Sequence, residues 1–256
     1  MKIIKFKKVS LDKYKVYLDN NEIITLYEDV IVNNRLLLTK EVDEELLSVL
    51  KKENNSVNAY YLAIKYLSIR KRSKKEVREY LIRKEITDDM IEKVLSRLEK
   101  EGHINDFSFS KSYVNDSLLL TNKGPLRIKS ELVKYGVPKD IINEALYDID
   151  YELLKEKLFN LIDKQIKVRK DSPSVLKLKL LNYFYNLGYE KYIILDELKK
   201  FNVKANIEQL QKEYDKLYRK YSRKYEGSEL EFYINNRLYE KGYSKEDISK
   251  IKRNVN

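Results

Sequence analysis

The stretch Val77–Leu95, VREYLIRKEITDDMIEKVL, decides the fold, because its pattern returns along the chain. Moved forward by 51 residues it lies on 128–146, IKSELVKYGVPKDIINEAL. Val77 then meets Ile128, Leu81 meets Leu132, Ile91 meets Ile142, Val94 meets Ala145 and Leu95 meets Leu146. A further 52 residues reach 180–198, with Leu180, Phe184, Gly188, Ile194 and Leu198 in register. Another 54 reach 234–252, with Ile234, Leu238, Gly242 and Ile248. Inside each copy the apolar residues recur three and four apart, the period of an amphipathic helix. A glycine holds one place in three copies, as Gly136, Gly188 and Gly242, where the first copy has Glu85. A residue there must stop a helix and turn the chain, which glycine does at positive φ without a Cβ clash.

Working outward, each copy follows another helical segment: Val57–Ile69, Phe107–Leu120, Tyr151–Val168 and Ile207–Tyr225. The expected fold class is therefore mainly α: tandem three-helix repeats forming an elongated curved array, with a small N-terminal β-containing module. The expected divisions are 1–56 for that module, then three-helix units at 57–105, 106–149, 150–204 and 205–256. In the module, IIKFKKV, KYKVYLD and EIITLY alternate and are rich in β-branched and aromatic residues, so they read as strands of an antiparallel sheet. YEDVIVNN reads as a short helix and TKEVDEELLSVLKKEN as a longer one, with Thr39 its expected N-cap. In the first unit, Thr87-Asp88-Asp89 opens a helix that Gly102 closes.

Composition fits a helical, water-facing protein. The 256 residues are 43% hydrophobic and 36% charged, with 6 Gly, 3 Pro and no Cys. Disulfides and thiolate metal sites are excluded. No apolar run is long enough for a membrane span, and the N-terminus has no secretory apolar core, so a cytoplasmic location and no membrane partner are expected. The net charge of +11 suggests a polyanionic partner, or only a lysine-rich coat that keeps the chain in solution. Catalytic signatures are missing: no phosphate-binding glycine loop, no nucleophile elbow, no metal-ligand spacing. The one histidine, His103, directly follows the Gly102 stop and reads as a surface or capping residue. The acidic groups TDDM, YDIDYE and KED sit at helix ends, where capping explains them. No enzyme activity, cofactor or metal is expected.

The charge is uneven. Between Lys65 and Lys84 there are nine cations and two acids; between Lys111 and Lys139, six and two. Ser73-Lys74-Lys75-Glu76 is a capping box, so a helix starts there. Arg70, Lys71 and Arg72 would end the preceding helix, where cations suit the dipole. Lys74 and Lys75 stand in a first turn, where the dipole disfavours them. They and the free N–H groups would make an anion site, and exchanging both for Glu is expected to leave stability unchanged. In the second unit Gly124 aligns with Ser73, Pro125 takes the first helical position, and Lys123 and Arg127 surround the helix start. The candidate partner- or DNA-binding residues are Arg70, Lys71, Arg72, Lys74, Lys75, Lys123, Arg127 and Lys129. Residues 199–256 carry fifteen cations and nine acids. There Tyr214, Leu217, Tyr218 and Tyr221 form a helical stripe that is either core or a surface for stacking on bases.

RKRSKKEVREYLIRKEITDDMIEKVLSRLEKEGHINDFSFSKSYV (70–114) and GPLRIKSELVKYGVPKDIINEAL (124–146) together resemble the RecX regulatory family. The resemblance rests on three parts: the basic-Ser helix start, the L-x-x-x-G-x-I-N-D-x-x-F junction at Leu98–Phe109, and the G-x-x-x-I-x-x-E-L-x-x-x-G-V segment at Gly124–Val137. It covers residues 57–150 best, and Glu85 departs from the glycine common there. The resemblance implies a non-enzymatic regulator that docks in the groove of the RecA–single-stranded DNA filament and restrains its growth, ATPase and strand exchange; a monomer is expected. The residues alone leave open a direct DNA- or RNA-binding protein and a helical scaffold.

Overall fold

The structure, a computed structural model, describes residues 1–251; the last five residues of the expected fourth unit lie outside that range. The chain opens with β1 (Ile3–Ser10), β2 (Lys13–Leu18) and β3 (Ile23–Tyr27), an antiparallel sheet in the order β1-β2-β3. Val16, Leu18, Ile24 and Leu26 alternate with exposed or part-exposed neighbours and are buried with Ile3. They share a core with Val30 and Ile31 of α1 (Glu28–Asn33), Leu36 of α2 (Leu36–Thr39), and Leu47 and Leu50 of α3 (Glu44–Leu67). One face of the sheet is thus covered and the other solvated, as period-two alternation requires.

Two expectations fail here. Thr39 ends α2 rather than opening the next helix, because Lys40 turns left-handed (φ 49) and Glu41 bridges back to Lys2. The N-cap is Asp43, whose carboxylate accepts from the Leu46 N–H at 2.6 Å. The helix expected to begin at Val57 is also the same helix, since α3 runs unbroken through Asn54, Asn55 and Ser56. Those polar residues read as a break in the sequence. In the fold Asn54 accepts from the Tyr27 N–H (2.8 Å) and donates to the Thr25 carbonyl (3.1 Å), tying β3 to the helix.

The remaining helices come in threes. α4 (Lys74–Ile82) and α5 (Asp88–Lys100) join α3; α6 (Asp106–Leu120), α7 (Pro125–Lys134) and α8 (Lys139–Tyr147) follow. Then come α9 (Tyr151–Val168), α10 (Pro173–Asn186) and α11 (Lys191–Lys199), and last α12 (Ile207–Tyr221), α13 (Gly227–Glu240) and α14 (Lys245–Ile248). The register residues Leu81, Leu132, Leu180 and Ile234 are all fully buried. Each middle helix ends in one motif: the residue after the positive-φ position donates to the carbonyl five residues back. The bonds run Ile86→Leu81 (3.2 Å), Val137→Leu132 (3.2 Å), Tyr189→Phe184 (3.1 Å) and Tyr243→Leu238 (3.1 Å). Glu85 keeps that geometry at φ 59 without glycine's freedom. Thr87 precedes α5 as expected, but its side chain makes no capping bond.

The chain divides into two compact units, Met1–Ser112 with Leu132–Ile142, and Tyr113–Glu131 with the chain from Asn143 onward. In the first, a core of Ala59, Ala63, Val77, Leu81, Ile91, Val94, Leu95, Leu98 and Ile104 fills the space between α3, α4 and α5. In the second, Leu210, Tyr214, Leu217, Leu230, Ile234, Leu238 and Tyr243 hold α12 and α13 together.

Candidate functional site

In the first unit the basic stretch forms a corner between α3 and α4. α3 stops at Leu67, so Arg70, Lys71 and Arg72 lie in the connection and not in the last helical turn. Their order comes from Glu76 instead. Its carboxylate takes Arg70 Nη2 at 2.6 Å, Arg72 Nη1 at 3.5 Å and the Ser73 N–H at 3.1 Å, and Ser73 Oγ accepts in turn from the Glu76 N–H at 3.2 Å. The capping box is therefore formed, with two arginines drawn onto it. The Arg72 guanidinium also lies 4.1 Å from the centre of the Tyr66 ring, which stacks on Tyr80. Lys71 donates to the hydroxyls of Ser108 (2.8 Å) and Ser112 (3.0 Å).

Lys74 and Lys75 prove to have local partners. The Lys74 ammonium pairs with Glu99 at 2.9 Å, and its backbone N–H donates to Asp106 at 2.9 Å. Burial pushes the Asp106 carboxyl up, against the opposing pull of that N–H and of the Lys74 charge. Lys75 donates to the Lys134 carbonyl at 3.0 Å, one of the acceptors that the end of α7 leaves open. Two expectations are thereby corrected. The start of α4 is not an open anion site, because Asp106 and Ser73 already accept from its N–H groups. The lysine pair also has structural partners, so replacing it by Glu is now expected to cost stability.

Ser73 itself shows a repeated joint. Its hydroxyl donates to the Tyr135 carbonyl at 2.8 Å, so the N-terminal end of α4 is seated on the C-terminal end of α7. In the second unit Gly124 N–H donates to the Leu187 carbonyl (2.7 Å) and Leu126 N–H to the Gly188 carbonyl (2.9 Å), seating α7 on α10. Ser172 Oγ donates to the Lys241 carbonyl, and Ser174 N–H to Gly242 at 3.4 Å, seating α10 on α13. Each joint brings a helix's positive end to another's negative end and fills open carbonyls with donors.

The second corner centres on Glu131. Lys123 reaches it at 2.7 Å, Tyr113 Oη donates to it at 2.6 Å, and Arg127 Nε stands at 3.4 Å. Burial pushes the Glu131 carboxyl up, but the hydrogen bonds from Lys123 and Tyr113 outweigh it and the net direction is downward. Lys129 donates to Asn143 at 3.0 Å. The hubs Glu76, Glu131 and Asp106 were not singled out as site residues, although the capping box marks Glu76 and the four-residue spacing from Arg127 marks Glu131. Lys157 was missed too. It donates to the carbonyls of Leu118 and Thr121 at the end of α6, and burial lowers its pKa.

The C-terminal tyrosines divide. Tyr214 and Leu217 are buried core, and Tyr218 packs against that core. Tyr221 and Tyr225 pack against it too, part-exposed; Tyr233 stacks with both, its ring centre 4.1 Å from that of Tyr225, and Tyr221 is tilted against Tyr225. The Lys220 ammonium lies 5.2 Å from the centre of the Tyr221 ring, and Arg219, Arg223 and Lys224, neighbours in sequence, are exposed. His103 is half-exposed beside Glu101 (3.6 Å). Among the described residues no group of three His, Cys, Asp or Glu is arranged to hold a metal, and no helix is long and apolar enough to cross a membrane.

Two family models match the chain: the first three-helix domain of RecX over residues 59–98 and the second over 105–146. The Streptococcus gordonii protein named regulatory protein RecX is 32% identical over 257 residues, 99% of each chain. That of Streptococcus sanguinis is 31% identical over 97% of each. A crystal structure of regulatory protein RecX shares the fold, with a TM-score of 0.68 at 23% identity, covering 78% of this chain and 99% of that one. The structure of RecX from Lactobacillus salivarius superposes with a TM-score of 0.55 at 28% identity, covering 58% of this chain and 97% of its own.

Proposed function

Because the chain belongs to the RecX family of regulatory proteins, we infer that it is a non-catalytic regulator of the RecA recombinase. It acts on the RecA–single-stranded DNA filament in the cytoplasm, as a monomer, and limits filament growth, ATPase and strand exchange. The observation that carries this reading is the relatedness to RecX proteins over nearly the whole length. The basic corners lie within the stretches matched by the two RecX domains and agree with it. In this reading Arg70, Lys71, Lys74 and Lys75 of the first corner and Arg127 and Lys129 of the second meet the filament, and Arg72 and Lys123 hold the corners in shape. The test is RecA's DNA-dependent ATPase and strand exchange with the protein added below stoichiometric amounts. Inhibition is expected; none at any ratio refutes the reading.

A second reading is favoured by one observation. Tyr221, Tyr225 and Tyr233 form a part-exposed aromatic stack edged by cations, the combination that holds single-stranded nucleic acid by stacking and charge. Binding to a bare oligonucleotide that is lost on replacing Tyr225 and Tyr233 by Leu, with RecA unaffected, would select it.

A further inference from the structure

We propose that the solvent face of the N-terminal sheet is a binding surface for single-stranded nucleic acid. The argument starts from register. Phe6 pairs with Val16 and Val16 with Ile24, and this row turns toward the core. The neighbouring rows turn outward: Lys5 opposite Tyr17 and Ile23, and Lys7 opposite Lys15 and Thr25. Lys5, Lys7 and Lys15 are exposed, and Tyr17 is part-exposed. No acidic residue stands in either row. Among the described residues none of the three lysines has an ion-pair or hydrogen-bond partner. Elsewhere several cations do meet acids, as Arg97 meets Glu101 and Lys179 meets Asp171.

Like charges directly opposite one another weaken a sheet. Lys7 and Lys15 are such a pair, tolerated because the inner face carries the packing. Along β1, Lys5 and Lys7 are about 7 Å apart. Lys7 and Lys15 face each other across about 5 Å. Tyr17 occupies the fourth corner, opposite Lys5. Three ammonium groups and one aromatic ring therefore share a single small patch. The cations suit a run of phosphates and the ring suits an unpaired base, the pairing of features by which single strands are held. A duplex keeps its bases inside and would leave Tyr17 unused, and a purely acidic protein surface would have no use for the ring.

The proposal does not depend on the filament reading. Its test uses the full chain and a fluorescent oligo-dT strand, read by anisotropy across a salt series. Wild type is expected to bind with an affinity that falls steeply with salt. The variant K5Q/K7Q/K15Q should lose about two units of the log–log salt slope and weaken roughly a hundredfold near 0.1 M salt. Its melting temperature should hold or rise, since the like-charge opposition is gone. Y17L should weaken binding with the slope unchanged. Wild-type affinity in the triple variant overturns the proposal, as does failure of wild type to bind at low salt. So does loss of binding to phosphatidylserine vesicles in that variant while oligo-dT binding stays intact. A chain that binds oligo-dT through this face and leaves RecA untouched would refute the filament reading and keep this one.

Discussion

Lys75 lies across Gly136, so close that a Cβ on that glycine would stand 2.7 Å from the lysine's Cδ, while its ammonium closes the neighbouring Lys134 carbonyl. A first-turn lysine, misplaced by the electrostatics of its own helix, is well placed by those of another. K75M should keep the stem's packing and lose the charge, lowering unfolding free energy by about 1 kcal/mol after allowance for its exposure. K75E should cost about 2 kcal/mol, because a carboxylate would face a helix C-terminus. The urea midpoint measures both, and a K75E chain as stable as wild type refutes the assignment.

The glycines separate backbone strain from crowding. Gly102 has φ +77 and open space around it, so G102A should cost only the left-handed strain, about 1 kcal/mol. Gly124 has no positive φ, yet a Cβ there would meet the Gly188 backbone at 2.4 Å. G124A should therefore be the worse change, about 3 kcal/mol or more, through overpacking and the loss of two joint hydrogen bonds. Equal melting shifts for the two variants would contradict the joint.

Glu131 has a lowered pKa, so its contribution to stability is present above the ordinary carboxylate range and disappears as pH falls through the folded value. E131Q should lose about 2 kcal/mol at neutral pH. The gap to wild type should close as the pH drops below about 4. A gap that persists in acid would mean that the ion pairs are not its source.

Tyr189 is fully buried, its hydroxyl has no partner among the described residues, and burial pushes it up to about 12. Burial penalises only the ionised phenol, so stability is unaffected below the unfolded value near 10 and falls as pH climbs from there toward the folded value. Y189F should match or exceed wild type by up to about 1 kcal/mol at neutral pH and resist alkaline unfolding better. Destabilisation by Y189F would reveal a partner for the hydroxyl.

Arg127 is half-exposed and holds Glu131 only at 3.4 Å. R127Q should change stability by less than about 0.5 kcal/mol. If the filament reading holds, several-fold more R127Q protein should be needed for half-inhibition of the RecA ATPase. An unchanged requirement removes Arg127 from the interface.

Much of this was legible in the sequence, for a physical reason. The repeat register predicts which residues are buried, since Leu81, Leu132, Phe184 and Leu238 each occupy one place in a periodic pattern. The Ser73–Glu76 box is a short-range interaction and was read directly. What escaped reading is long-range. Asn54 looks like a helix breaker until β3 supplies its partners. Thr39 looks like a cap until Lys2 fixes the strand beside it. Lys75 looks idle until a helix 59 residues away presents its carbonyl. The basic corners were found as charge, but how much of that charge each corner uses internally depends on Glu76, Asp106 and Glu131, which only the folded chain brings into range.

The joints also set a timetable for a chain emerging from the ribosome. Ser73 takes its acceptor from a residue 62 positions later, and Ser172 from one 69 positions later. The middle helices α4, α7 and α10 can therefore coil on schedule, but each waits for its successor before its joint is closed. The earlier unit stays provisional while the later one is still being made. A stalled or nonsense-truncated product would thus lack a joint that the full chain closes.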